Sequence, residues 1–447
     1  MSKNRILLAF FSILILFQGF HVQAQEAKFR RDIQELIINE KLATILPKAM
    51  RENNIDMWII VNKYGLADPL TAYLGGGGRP GDKYYQHQFV GYLIFTDRGG
   101  DLMERASIGD SLLPMRGDLK KFVEERDPKR IAVNMSELLG QADGLSHTEY
   151  KTLVKDLGEK YAARLVSSEY VVSSFMSLKV AAEISVFAKS IQLTGHLMER
   201  ALSNEVIKPG VTTLGDVALW VADQLIARGH EPSYGRPRII YPDMAVDKDG
   251  RQIVKHAGQP YDRVIQRGDL VGWDGGIRLW GGYSTDIERY AYVLREGETD
   301  LPDLLKDVMR HAVKVRNECR KIVKPGRTAL ETLKLMWKRM EDLGYEIQEI
   351  EDKVTDSSNI EVCIGWHGVG ERGHGAGPTI WTDKEQKFKS QLVLKPTQLH
   401  AFEMFIFYPI PEWGGKKLRF DIEDNVIITE NGVELFIPAH DKITLIR

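Results

Sequence analysis

Two cysteines in 447 residues, Cys319 and Cys363, are too few for a disulfide framework, and two buried free thiols are the expectation. Net charge is nearly absent too: 60 Lys and Arg stand against 62 Asp and Glu, a formal −2. That balance offers no bulk attraction to nucleic acid or anionic lipid. Long hydrophobic runs are also missing. The apolar run Ile6 to Phe17 is too short to span a bilayer comfortably. Lys3 and Arg5 precede it and Val22-Gln23-Ala24 follows, so residues 1–25 read as a secretory signal peptide removed on maturation. No cysteine lies beside that cleavage site to carry a lipid. The mature protein is therefore expected to be exported, periplasmic or secreted, without a stable membrane anchor.

What is present suggests two to three domains with ample core. Residues 26–172 read as an α/β domain. Apolar spacing predicts a helix over 32–52, kinked or divided at Pro47, and short strands over 56–61, 90–95 and 130–133. The glycine-rich stretch 74–82 fits GxGxxG, but Pro80 and the lack of a following helix argue against a nucleotide fingerprint, and a mobile loop is expected. From residue 173 to 447 the pattern changes, starting with a long amphipathic helix over 179–204. Two openings then repeat each other. Lys208-Pro-Gly-Val-Thr-Thr-Leu and Lys324-Pro-Gly-Arg-Thr-Ala-Leu each begin a helix, with Thr212 and Thr328 as expected N-caps.

Each copy is trailed by a histidine and then by two acids on strand-like stretches. In the first copy these are His256, Asp274 and Asp286; in the second, His374, Glu403 and Glu423. A carboxylate beside an apolar strand is costly to bury unless paired or metal-bound. A pseudo-twofold domain would gather all four carboxylates, and a divalent cation would relieve their repulsion. Glycines flank both His367 and His374 in GWHGVGERGHGAGP, and on the residues alone either could supply nitrogen. Four acids and one imidazole suit Mn²⁺, Fe²⁺, Co²⁺ or Zn²⁺ better than Ca²⁺ or Mg²⁺.

At WDGGIRLWGGYSTD, HGVG, AFEMF and IEDNVIIT the chain resembles the metallopeptidase family of methionine aminopeptidases, Xaa-Pro aminopeptidases and prolidases. The resemblance covers roughly residues 175–440. It implies an α+β protein, a pseudo-twofold pita-bread catalytic domain preceded by a smaller creatinase-type α/β domain, as in the Xaa-Pro branch. It implies two divalent metal ions, Mn²⁺ foremost with Zn²⁺, Co²⁺ or Fe²⁺ as others, held by Asp274, Asp286, His367, Glu403 and Glu423. The family places a substrate-facing histidine seven positions after the ligand; His367 has His374 there, whereas His374 has Trp381. By the same resemblance His256 is the other substrate-facing histidine and Glu403 moves the proton. Small peptides are the implied substrates and a homodimer the implied assembly, with the 74–82 loop reaching a neighbour's active site.

Several positions depart from the family pattern. The Asp274–Asp286 spacing is one residue longer. Glu288-Arg289-Tyr290 stands where Thr-Arg-Thr is usual, Met404 and Phe405 where Pro and Gly are common, and Asp421 where the Xaa-Pro branch often has arginine. The expected activity is an aminopeptidase or dipeptidase acting near the N-terminus, of Xaa-Pro type. The competing readings are a metal-dependent amidohydrolase or lyase on the same fold, and a non-catalytic binding module.

Overall fold

The computed structural model describes residues 3–447 apart from 64, 66–67, 72, 75–89, 101, 111–117, 235–236, 241–244, 247–251, 254–260, 281, 350–354, 356, 372–373, 382–386 and 415; for 3–25, 27, 110, 245–246 and 252–253 it describes the backbone alone. The loop expected over 74–82, Leu74 excepted, and His256 lie outside the described residues. Two compact units divide the chain, Met1–Phe175 and Met176–Arg447.

The first unit is built on strand Met57–Asn62, a continuous apolar run buried along its whole length. Burial on both faces is what such a run requires of a central strand. It pairs antiparallel with Val90–Asp97 and parallel with Ile131–Val133. Strands Met103–Asp110 and Leu165–Ser167 complete a five-stranded mixed sheet. Leu119, Val123, Leu153 and Leu157 from two helices close its core. Helix Lys3–Glu52 is longer than the 32–52 expectation and runs through Pro47 undivided. An interior proline costs about 3 kcal/mol; the buried Leu46, Ala49 and Met50 beside it supply packing that offsets this.

Asp68 anchors the end of this sheet. It accepts from Leu70 N at 2.9 Å and Asn134 Nδ2 at 2.9 Å, while Asn134 Oδ1 takes Trp58 Nε1 at 2.8 Å. Burial pushes its pKa up to about 6. A carboxylate raised on folding gives stability that is present at low pH and lost as pH climbs through the folded pKa. Two units correspond to roughly 3 kcal/mol at most. Asp68→Asn is therefore expected to flatten the fall in urea stability between about pH 4 and 7; an unchanged pH profile would contradict the burial argument.

The second unit repeats itself. Helix Leu214–Ile226 begins with a capping box of Thr213 and Asp216, and helix Ala329–Asp342 with one of Thr328 and Glu331. Thr328 caps as expected, but Thr212 does not: its hydroxyl accepts from Lys208 N at 2.9 Å and donates to Val206 O at 3.2 Å. The first copy carries one extra residue between its Pro-Gly and its cap, which shifts the helix start to Thr213. Both Pro-Gly glycines take positive φ, 78° at Gly210 and 91° at Gly326. Their amides bond equivalent carbonyls, Ile265 O at 2.7 Å and Leu394 O at 2.8 Å.

Each half supplies a pair of antiparallel strands. Leu270–Gly275 pairs with Ile287–Val293, and Leu399–Pro409 with Lys417–Thr429. Between the first two the chain does more than turn. It forms strands Ile277–Leu279 and Tyr283–Ser284, which pair with each other, and the former also pairs with Glu231–Pro232. Side chains alternate across a strand. Val271, Trp273, Ile287 and Ala291 thus enter one apolar core with Val217 and Val221 of the first capped helix. Phe402, Met404, Phe420 and Ile422 enter another with Leu333 and Met336 of the second. The same alternation turns Asp274, Glu288, Glu403, Asp421 and Glu423 to the opposite faces. Cys319 and Cys363 are both buried and free.

Candidate metal centre

Three strand positions, one residue just before a strand and one two-residue strand, His367–Gly368, bring the candidate ligands together. Glu403 and Glu423 stand directly opposite in the antiparallel register. Asp274, next to last in its strand, stands opposite Glu288, with Arg238 on its other side. Asp286 immediately precedes strand Ile287–Val293 and is clamped by Asn425. Its N–H donates to Asn425 Oδ1 at 3.1 Å and its carbonyl accepts from Asn425 Nδ2. That clamp joins the two halves at the acidic face.

His367 Nε2 lies 3.6 Å from Asp286 Oδ2, 3.9 Å from Glu403 Oε2 and 3.9 Å from Glu423 Oε1. Its Nδ1 is 3.2 Å from Gly368 O, so the Nδ1–H donates there and Nε2 presents a lone pair to the carboxylates. Asp274, Asp286 and Glu423 form one group whose ligand atoms lie within 4.8 Å of one another; His367, Glu403 and Glu423 form a second, and Asp286, His367 and His374 a third. All five candidate ligands thus meet. His374 sits at their exposed edge, its ring centroid 4.1 Å from that of His367 and 5.7 Å from that of Tyr234.

Like charge dominates the electrostatics. Burial foremost, with neighbouring carboxylates, holds Asp286, Glu403 and Glu423 well above the usual carboxylate range. Burial also holds His367 well below the usual imidazole value and His374 at about 4. Among the described residues, nothing donates a hydrogen bond to the buried Asp286 Oδ1 and Glu423 Oε2. A native protein rarely leaves such oxygens unanswered. Two orphaned oxygens, a lone pair on His367 Nε2 and a mixed N/O donor set fit divalent transition-metal ions.

Other residues hold this arrangement, and sequence reasoning missed them. Arg238 Nη1 is 2.6 Å from Asp274 Oδ2, and the Tyr234 hydroxyl donates to Asp286 Oδ2. Arg289 donates to Glu423 O at 2.9 Å and Asp424 Oδ1 at 2.8 Å. Glu371 Oε2 accepts from Ala376 N at 2.8 Å, while its Oε1 lies 3.3 Å from the buried Lys179 Nζ, which fixes the backbone on either side of His374. Tyr234 and Arg238 carry no pattern that marks them; Asn425 lies inside IEDNVIIT and Arg289 inside Glu288-Arg289-Tyr290, which is the signal they offered without a role attached. Groups behind metal ligands typically govern affinity by about 10–100-fold. Asn425→Ala is accordingly expected to weaken metal binding by about that factor; unchanged affinity in a chelator competition would show the clamp to be dispensable.

The sequence profile of metallopeptidase family M24 matches residues 186–430, a stretch containing all five candidate ligands. The search of curated sequences returned no significant match. Among solved structures, the chain is similar to an X-Pro aminopeptidase from Thermotoga maritima MSB8, with 18% identity and TM-score 0.59 over 89% of this chain and 99% of that one. It is also similar to an Xaa-Pro dipeptidase from Bacillus anthracis, with 18% identity, TM-score 0.56 and coverage of 91% and 99%. A prolidase from Pyrococcus horikoshii OT3 gives 21% identity, TM-score 0.56 and coverage of 90% and 98%. These likenesses extend over both units and speak to the fold, the α+β arrangement expected from the sequence. With more than half of its length matched in one continuous stretch, the chain belongs to metallopeptidase family M24.

Proposed function

We propose that this protein is an exported, dinuclear-metal-dependent aminopeptidase or dipeptidase that hydrolyses peptide bonds near the substrate's N-terminus, of Xaa-Pro type. The observation that carries this reading is the approach of His367 Nε2 to three carboxylates, Asp286, Glu403 and Glu423, inside an M24 domain. Asp274, Asp286, His367, Glu403 and Glu423 would hold the two ions between them. Two Mn²⁺ ions, when bound, supply a water of lowered pKa and polarise the scissile carbonyl. The chain's own residues do the rest. Glu403, the most accessible of the acids that flank His367, takes the proton and returns it to the leaving amine. His374 donates a hydrogen bond to the developing oxyanion, and His256 is assigned the same kind of role.

Export rests on the segment 1–25, and cleavage beside Val22-Gln23-Ala24 would be read by N-terminal sequencing of the exported chain. A homodimer is the proposed assembly, tested by light scattering at micromolar concentration. Among the described residues no single helix is long and apolar enough to cross a membrane. The functional test is release of proline from Xaa-Pro dipeptides and longer Xaa-Pro peptides with Mn²⁺ added. Cleavage of the short substrates alone marks a dipeptidase, cleavage of the longer ones an aminopeptidase, and no proline release from either overturns the Xaa-Pro assignment.

A further inference from the structure

Three side chains open to solvent border the candidate metal centre. Tyr234, 43% exposed, donates to Asp286, and the exposed His374 groups with the same aspartate. The third is Arg238, whose side chain is 39% exposed beside the buried Asp274. Strand register puts it there. Ile239 pairs with Trp273 and enters the same core, and alternation turns Arg238, paired with Asp274, to the opposite face.

Behind this opening the charges are answered. Glu288 and Asp421, both completely buried, group with Glu403. Arg419 Nε lies 2.9 and 3.0 Å from the two oxygens of Asp421, and the charges of Asp274, Glu288 and Asp421 all act on Arg238. The four ligand carboxylates balance two divalent ions, and Glu288 with Asp421 balances Arg419 with Arg238. What faces solvent at the mouth is then the Arg238 guanidinium. It has five N–H donors. Its Nη1 lies 2.6 Å from Asp274 Oδ2, and among the described residues that is its one ion pair. A half-exposed arginine with donors to spare suits a carboxylate, which takes two of them at once in a fixed fork.

The position of the carboxylate on the substrate follows from the two sides of the centre. Asp274 groups with Asp286 and Glu423, whereas Glu403 groups with Glu423 and His367. Glu403 returns the proton to the leaving amine, so the leaving residue lies on the Glu403 side. The first residue, which carries the scissile carbonyl, lies on the Asp274 side with Arg238. We infer that Arg238 receives the carboxylate of an acidic side chain on the first residue of the substrate, so that Glu or Asp is favoured there. This rests on the peptidase reading above.

The test compares isosteric probes that differ only in charge. Calorimetric binding of L-glutamic acid α-amide and of L-glutaminamide to the full, Mn²⁺-loaded chain is paired with hydrolysis of Glu-Pro and Gln-Pro. The acidic amide is expected to bind about fivefold more tightly, the scale of a half-exposed ion pair, and kcat/KM should favour Glu-Pro by a similar factor. In Arg238→Gln both ratios should fall to about one with the metal content per chain kept, and Arg238→Lys should restore part of each. Arg238→Met supplies the comparison should the glutamine variant not fold. Ratios near one in wild type, ratios that survive in Arg238→Gln, or a collapse that accompanies loss of metal would each overturn the inference. So would a preference for Gln-Pro over its C-terminal amide that vanishes in Arg238→Gln, since it would put the carboxylate on the leaving side. Wild-type protein that prefers the acidic amide yet hydrolyses neither dipeptide would remove the peptidase reading and leave the carboxylate site standing.

Discussion

Asp286→Asn is expected to abolish metal binding and lower peptide hydrolysis by at least about a thousandfold, roughly 4 kcal/mol of transition-state stabilisation, with the fold intact. The substitution preserves volume, so packing changes little. What it removes is a carboxylate that lies within reach of His367 and that groups with both Asp274 and Glu423. The metal-free protein should show the opposite sign in stability. Burial and the Asp274 charge raise the Asp286 pKa well above its ordinary value, and burial with neighbouring acids does the same to Glu403 and Glu423. A carboxylate raised on folding contributes stability at low pH and loses it as pH rises through the folded pKa. Metal-free wild type should therefore soften as pH rises from about 4 towards neutrality and beyond, and Asp286→Asn should soften less. Adding Mn²⁺ should raise the melting temperature of wild type by ligand linkage and leave that of the variant unmoved. Equal metal content and equal Mn²⁺-induced stabilisation in both proteins would take Asp286 out of the ligand set.

His374→Ala should behave differently: metal content kept, turnover reduced by about 10²–10³. The ring stands at the exposed edge of the cluster, its centroid 4.1 Å from that of His367 and its plane tilted by 31°. Burial and the nearby Lys389 charge hold its pKa at about 4, so the imidazole is neutral near pH 7 and offers one N–H donor. Loss of that donor is felt where negative charge develops on the substrate. Unchanged turnover would make His374 structural, whereas a loss of metal would move it into the ligand set, where its proximity to Asp286 already places it geometrically.

The parts of this architecture legible in the sequence are those that obey a period or a spacing. Strands 57–62 and 90–97 announce themselves as apolar runs, and the Pro-Gly-x-Thr openings as a repeat with caps. Thr213 replaced Thr212 as the cap because one inserted residue shifts a helix start without altering the repeat's apolar pattern. The convergence of Asp274, Asp286, His367, Glu403 and Glu423 was legible only because all five recur in a known order; no period links a histidine to strands far along the chain. The supporting residues were opaque for the same reason. Asn425 bonds Asp286 across 139 positions and Tyr234 does so across 52, and hydrogen bonds of that separation leave no local trace. Helix Lys3–Glu52 ran through Pro47 because packing on Leu46, Ala49 and Met50 outweighed the local break. Glu288 and Asp421 were visible as departures, but their meeting with Glu403 depended on strand register.

Metal analysis of the purified chain, paired with proline release from Xaa-Pro peptides, tests the central claim most directly. The account predicts two metal ions per chain and proline release that requires them. A chain that binds no metal under any loading condition, or that cleaves Xaa-Pro bonds equally well after complete chelation, would contradict it.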